Sequence, residues 1–224
     1  MTDSSDDGDA DGGPPPQEPV TGRAVTLAVG DGEYRGRLNT PDGGSERGIL
    51  VIPGAGHGPF GTVFATFADT AEERGFTVAR FETWADADEL DAKTPDEHRR
   101  EFEAGIEFLR SQGCDSVAIV AKSFGGRLAL QHGPWSAERM VLWAPAALFE
   151  AGESFPTLSA EALASIDVPV RILQGEDDQV VSVENARQLA EHLPRGELVV
   201  FAGEDHSFMH DEARAIEQTL AFCA

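Results

Sequence analysis

Apolar residues along the chain fall into two recurring patterns. Unbroken short runs, such as Gly48-Ile-Leu-Val-Ile52, Val117-Ala-Ile-Val120 and Met140-Val-Leu-Trp143, predict buried strands. Phe76 to Phe81, Val168 to Leu173 and Glu197 to Phe201 also predict strands. Between them the spacing is helical. Val63, Phe64, Phe67, Ala68 and Ala71 share one side of a helix closing at Gly75. Residues 95–110 open with Pro-Asp-Glu and close with Arg110, which suits the two ends of a helix dipole. Ser182 caps a helix running to Leu193, with Glu184 in its first turn, and a last helix containing His210 runs to about Phe222. Before all of these, Ala24 to Val29 alternates, Asp31-Gly32 signals a turn, and Tyr34 to Leu38 returns antiparallel. The acidic stretch from Glu82 to Thr94 reads as irregular, and residues 145–166 as a loop with one short helix at 160–165.

Strands alternating with helices predict an α/β fold: a mostly parallel, doubly wound sheet with an antiparallel N-terminal hairpin. Residues 21–224 form one domain in this reading. Residues 1–20, rich in Asp, Gly and Pro, bury too little apolar surface to order themselves and are expected to be a solvated arm. The segment between the strands ending near Trp143 and beginning near Val168 is too short for a lid domain once it has crossed the sheet. A shallow, open pocket follows, with Leu148, Phe149 and Phe155 as its expected apolar contacts.

Charge alters the picture. Forty acidic residues against 17 basic ones give a formal net charge of −23, and the only lysines are Lys93 and Lys122. Such a surface resembles proteins of salt-accumulating cells, where concentrated ions screen the repulsion. It also argues against nucleic acid and anionic membranes as partners. Two distant cysteines, Cys114 and Cys223, lack the spacing of a zinc site or disulfide framework, so no metal or other cofactor is expected. The first residues have neither the basic nor the apolar region of a secretory leader, and no apolar run approaches the length of a membrane span. A soluble, cytoplasmic protein is the expectation. Oligomeric state leaves no mark in these patterns.

The chemistry centres on Val117-Ala-Ile-Val-Ala-Lys-Ser-Phe-Gly-Gly-Arg127. A serine at a sharp strand-to-helix turn backed by glycines has the form of a nucleophile elbow. Gly125 and Gly126 leave one flank of Ser123 bare, whereas Ala121 is one methyl larger than the usual glycine on the other. Taken alone, the hexamer also fits an ordinary strand–turn–helix with an N-cap serine. The ends of other strands add to it. The loop Pro53-Gly-Ala-Gly-His-Gly58, the run Glu176-Asp-Asp178 and the turn Asp205-His206 all fall at the carboxyl rim of the predicted sheet, where ligands bind. Serine-based acyl transfer needs a base, a carboxylate to orient it, and two donors for the oxyanion. His206 is the preferred base, with His57 its rival on the same rim. For the acid, Asp178 is preferred over its neighbour Asp177. The oxyanion donors are the N–H groups of Phe124 and, most suitably, Ala55. A phosphate-binding role for the glycine loop lacks a G-K-[ST] continuation.

Together the elbow Ala121-Lys-Ser-Phe-Gly-Gly-Arg127, the Pro53 loop and the Gly175-Glu-Asp-Asp178 and Asp205-His206 turns resemble the α/β-hydrolases. More narrowly, the chain is similar to a group of small, dienelactone-hydrolase-like predicted hydrolases whose elbow reads G-K-S-x-G-G-R. The resemblance covers roughly residues 47–210 and is most specific at the elbow, where Ala121 departs from it. It implies Ser123 as nucleophile, Asp178 as acid and His206 as base, acting on a small-molecule acyl substrate. Dienelactone hydrolases carry cysteine at the elbow, so their substrate is not implied. Some relatives in the wider group are non-catalytic scaffolds, which keeps a silent binding protein as an alternative. An acyltransferase using the same residues is another. Lys122, beside the nucleophile, either holds a substrate carboxylate or pairs with a structural acid. Arg127 reads as a structural anchor. His57 and Phe149 complete the expected substrate contacts.

Overall fold

The computed structural model describes residues 21–56, 58–148 and 157–224. The expected solvated arm, His57, Phe149 and Phe155 lie outside the described residues. Among those described, β1 (Arg23–Val29), β2 (Gly32–Asn39), β3 (Arg47–Ile52), β4 (Thr77–Phe81), β5 (Ser116–Lys122), β6 (Arg139–Trp143), β7 (Val170–Gly175) and β8 (Gly196–Phe201) form one sheet. Its spatial order is β1-β2-β4-β3-β5-β6-β7-β8. The β1/β2 hairpin and the β2/β4 pair are antiparallel, and every other neighbour is parallel. The hairpin turn is Gly30-Asp31 rather than the expected Asp31-Gly32, with Gly30 at φ 58° and Val29 paired to Gly32.

Helices cover both faces: α1 (Thr62–Glu73), α2 (Ala87–Ala92), α3 (Pro95–Ser111), α4 (Phe124–His132), α5 (Ala160–Ala164), α6 (Val183–His192) and α7 (Glu212–Cys223). Strand periodicity sorts the core into two layers. Along β5, Val117, Ile119 and Ala121 join the layer under α3, α4 and α6, while Ala118 and Val120 join Phe64, Phe67 and Leu220 under α1 and α7. Cys114 and Cys223 belong to opposite layers. Local signals fix the helix starts. Thr94 and Glu97 make a reciprocal capping box ahead of Pro95, and Ser182 Oγ accepts from the Asn185 amide.

Two further expectations are corrected. The stretch 82–94 is not wholly irregular, because Asp86 caps α2 by accepting from Glu89 N, and Leu90 is buried. A six-residue helix has too few turns to show a period in sequence. His210 precedes α7 instead of lying within it. Its imidazole Nδ1 meets the buried Glu204 carboxylate at 3.0 Å.

Candidate functional site

The elbow is a consequence of β5 ending against α4. Ser123 has φ 52° and ψ −121°, a conformation an L-residue adopts only when its surroundings enforce it. Those surroundings are hydrogen bonds: Ser123 N donates to Trp143 O at 2.8 Å, while Ala146 N and Gly126 N both donate to Ser123 O at 3.0 Å. Gly125 is required by close approach. A Cβ there would stand 2.2 Å from Pro53 O and 2.8 Å from Ile52 O, so α4 could not pack onto the end of β3. Ala121, the departure from the usual glycine, is fully buried in register with Ile52 and Leu142.

The turns carrying Asp178 and His206 close on each other in the same way. Glu176 N donates to Phe201 O at 2.9 Å and Asp177 N to Glu204 O at 3.0 Å, zipping the turn after β7 to the turn after β8. Within this frame His206 Nδ1 meets Asp178 Oδ2 at 2.8 Å. The second oxygen, Asp178 Oδ1, accepts from the amides of Val180 and Val181, both at 2.8 Å. Burial alone would raise the Asp178 carboxyl. The hydrogen bonds from His206, Val181 and Val180 outweigh it and hold the group below its ordinary value. Asp177 is exposed and lines the cavity, so of the two adjacent acids Asp178 is the one bonded to the imidazole. Gln174, which no sequence motif singles out, donates from Nε2 to Asp178 Oδ2 at 3.0 Å and to Val181 O at 2.8 Å. An amide side chain at the end of a buried strand is the one signal the sequence offers for it.

A cavity of about 670 Å³ brings these parts together. Ser123, His206, Lys122 and Ala55 all line it. Ser123 and the His206 imidazole share this space without a direct hydrogen bond between them. Phe124 supplies the first backbone N–H of α4, beside Ser123. The Ala55 amide donates to no acceptor among the described residues. Apolar walls come from Val63 and Phe64 of α1 and from Val180 and Met209, which are 63% and 51% exposed at the opening. Leu148, expected at the site, packs against the core layer of α3 and α4 instead.

The two lysines have separate fates. Lys93 is bound by the Glu101 carboxylate and the Thr83 carbonyl. Lys122 makes no ion pair among the described residues. Burial lowers its ammonium pKa, against the opposing fields of Asp178 and Asp205. The structural-pair reading of Lys122 therefore has no partner within 4.0 Å among those residues. Arg127 is completely buried. Glu204, Asp205 and His210 bring ligand-type atoms within 4.8 Å of one another. However, Glu204 already accepts from the amides of Asp205, His210 and Asp211, as well as from the His210 ring, so it serves as the hub of the loop carrying His206. Gly56, Gly58 and Gly61 do have the G-x-G-x-x-G spacing, but Gly56 stands four residues beyond β3 instead of at its end. A Cβ on Gly54 of the same loop would lie 3.2 Å from Ser123 Cβ.

A family model described as an alpha/beta hydrolase domain matches residues 45–221. The chain belongs to the α/β-hydrolases. Among solved α/β structures, Est1E from Butyrivibrio proteoclasticus superposes with a TM-score of 0.75 at 14% identity, covering 89% of this chain and 96% of that one. A dienelactone hydrolase from Anabaena variabilis gives 0.73 at 17% identity, covering 90% and 95%. At these identities the likeness is one of fold. A bifunctional esterase/perhydrolase from Acinetobacter calcoaceticus is 44% identical over 61 residues, a match spanning 27% of this chain and 22% of that protein. No helix among the described residues of this α/β-hydrolase is long and apolar enough to cross a membrane.

Proposed function

We propose that the protein is a serine hydrolase cleaving a small, soluble ester through an acyl-enzyme. The observation that carries this reading is the hydrogen bond of the buried Asp178 to His206, which lines the same cavity as the strained Ser123. In the proposed reaction Ser123 Oγ attacks the acyl carbonyl as His206 Nε2 takes the hydroxyl proton. Asp178 holds the Nδ1–H and stabilises the imidazolium. The developing oxyanion turns toward the amides of Phe124 and Ala55. The imidazolium then protonates the leaving alcohol, and water deacylates the serine by the same route. Lys122 is the site's candidate for holding an acidic group on the substrate.

Cavity dimensions suit a modest ligand: about 670 Å³ falls within the usual range for small-molecule sites, roughly 300–1,000 Å³. Activity is expected to fall steeply between butyrate and decanoate esters. The name of the esterase/perhydrolase relative favours a second use of the same acyl-enzyme, its capture by an acceptor other than water. Product analysis with hydrogen peroxide present measures that branch. The primary test is labelling by a fluorophosphonate probe together with hydrolysis of p-nitrophenyl butyrate. Both are expected in the native chain and lost in Ser123→Ala. Undiminished turnover in that variant sinks the mechanism.

A further inference from the structure

The acidic stretch after β4 holds Trp84, which is 2% exposed and among the largest fully enclosed side chains. Its indole Nε1–H donates to the carbonyl of Gly54 at 3.1 Å. The opposite side of the ring system is braced, because Trp84 meets the buried His98 edge-to-face with ring centroids 5.8 Å apart. His98 in turn approaches Glu101 at 3.6 Å, and Glu101 is tied to Lys93. Thus the indole is backed by α3 through His98 and Glu101, and its Nε1 reaches the glycine loop.

The Gly54 carbonyl and the Ala55 N–H belong to one peptide unit. That unit is planar, and no peptide bond among the described residues is cis. In a trans peptide the C=O and the N–H point in opposite directions. Fixing the Gly54 oxygen onto a buried indole therefore turns the Ala55 N–H the other way, out of the core. Ala55 lines the cavity that contains Ser123, and its amide has no acceptor among the described residues. Gly54, with no side chain, lets this peptide rotate more readily unless something holds it. Accepting a hydrogen bond at the carbonyl also polarises the N–H of the same amide.

We propose that Trp84 is a positioning residue that sets the orientation of the Ala55 donor in the oxyanion hole. It acts through the Gly54–Ala55 peptide and touches no substrate. This inference rests on the serine-hydrolase reading above, since the hole has a function only if an oxyanion forms at Ser123.

The test is Trp84→Phe, which keeps an aromatic filler and removes the donor. It is assayed well below the melting temperature of both proteins. Removing an oxyanion donor outright costs about 10²–10³ in kcat, and releasing one to rotate should cost roughly 10-fold or more. The expected result is a drop of that size in kcat for p-nitrophenyl butyrate, with KM changed less than about threefold. The second-order rate of fluorophosphonate labelling should fall in parallel, because the phosphonyl oxygen occupies the same hole. Binding of a trifluoromethyl ketone, whose serine adduct carries an oxyanion, should weaken by the same factor. Trp84→Met, also without a donor, carries the same expectation should the Phe variant not fold. A folded variant with native labelling rate and native kcat overturns the proposal, and so does a raised KM at native kcat. Failure of the native chain to be labelled at all defeats the serine-hydrolase reading itself, and this inference with it. The two failures are thereby told apart.

Discussion

Two carboxylates side by side, Asp177 and Asp178, differ in everything but sequence position. One is exposed at the cavity wall, and the other is buried and accepts from an imidazole, an amide side chain and two backbone amides. Asp178→Asn is expected to lower kcat by about 10³–10⁴, because an amide at that position favours the wrong imidazole tautomer. Asp177→Asn should leave kcat within a few-fold. Steady-state kinetics on both variants checks this, and the reverse ranking refutes the assignment. The same carboxylate also makes stability depend on pH. Its folded pKa lies below the unfolded value of 3.8, so its stabilising contribution is present above that value and is lost as pH falls through the folded one. Asp178→Asn should therefore lower the melting temperature more at pH 6 than at pH 3. An equal loss at both would show that the site gives the ionised form no preference.

Loops that close on one another carry the site, and their closure depends on a single missing side chain. A Cβ on Gly175 would stand 2.4 Å from Glu204 O and 2.9 Å from Asp205 O, backbone atoms that no rotamer change can move away. Gly175→Ala is expected to cost about 1–3 kcal/mol, typical of overpacking, and to reduce kcat at least tenfold by parting the Asp178 and His206 loops. Urea melts beside kinetics measure the two effects, and a destabilised variant with native kcat would show that the loops align without this contact. At the scale of elements the strands and the elbow are legible in the sequence, because buried strands and a glycine-backed serine leave local patterns. What is not legible is held by partners that no local pattern announces. Trp84 takes its role from Gly54, thirty residues earlier, and Gln174 from a carboxylate beyond the end of its own strand. Leu148 belongs to a loop that must pass the rim, which places it at the site on sequence grounds, but it is partly buried and packs against the core layer under α3 and α4. Helix α2 leaves little trace because one buried leucine and a capping aspartate are all that mark it.

Across the whole molecule, like-charge repulsion pervades the surface. A net charge of −23 destabilises any compact state in dilute buffer, and the described salt bridges lie mostly on exposed surface where each contributes little. Screening should relieve this. The Debye length falls from about 10 Å at 0.1 M salt to about 3 Å at 1 M, so repulsion between well-separated surface charges is largely screened. Raising KCl from dilute to molar is therefore expected to raise the melting temperature, as a halophilic adaptation requires. KCl is the appropriate salt, since sulfate strengthens apolar burial whatever the charge. A charge-reduced variant ties the effect to electrostatics. Asp31, Glu33, Asp42 and Glu46 are exposed and make no ion pair among the described residues. Converting these four to amides should raise the melting temperature in dilute buffer and flatten its dependence on KCl. Calorimetric scans of both proteins across the salt series decide the matter. A native chain equally stable in dilute and molar KCl, or a variant with an unchanged slope, would mean that the acidic surface is not a response to salt.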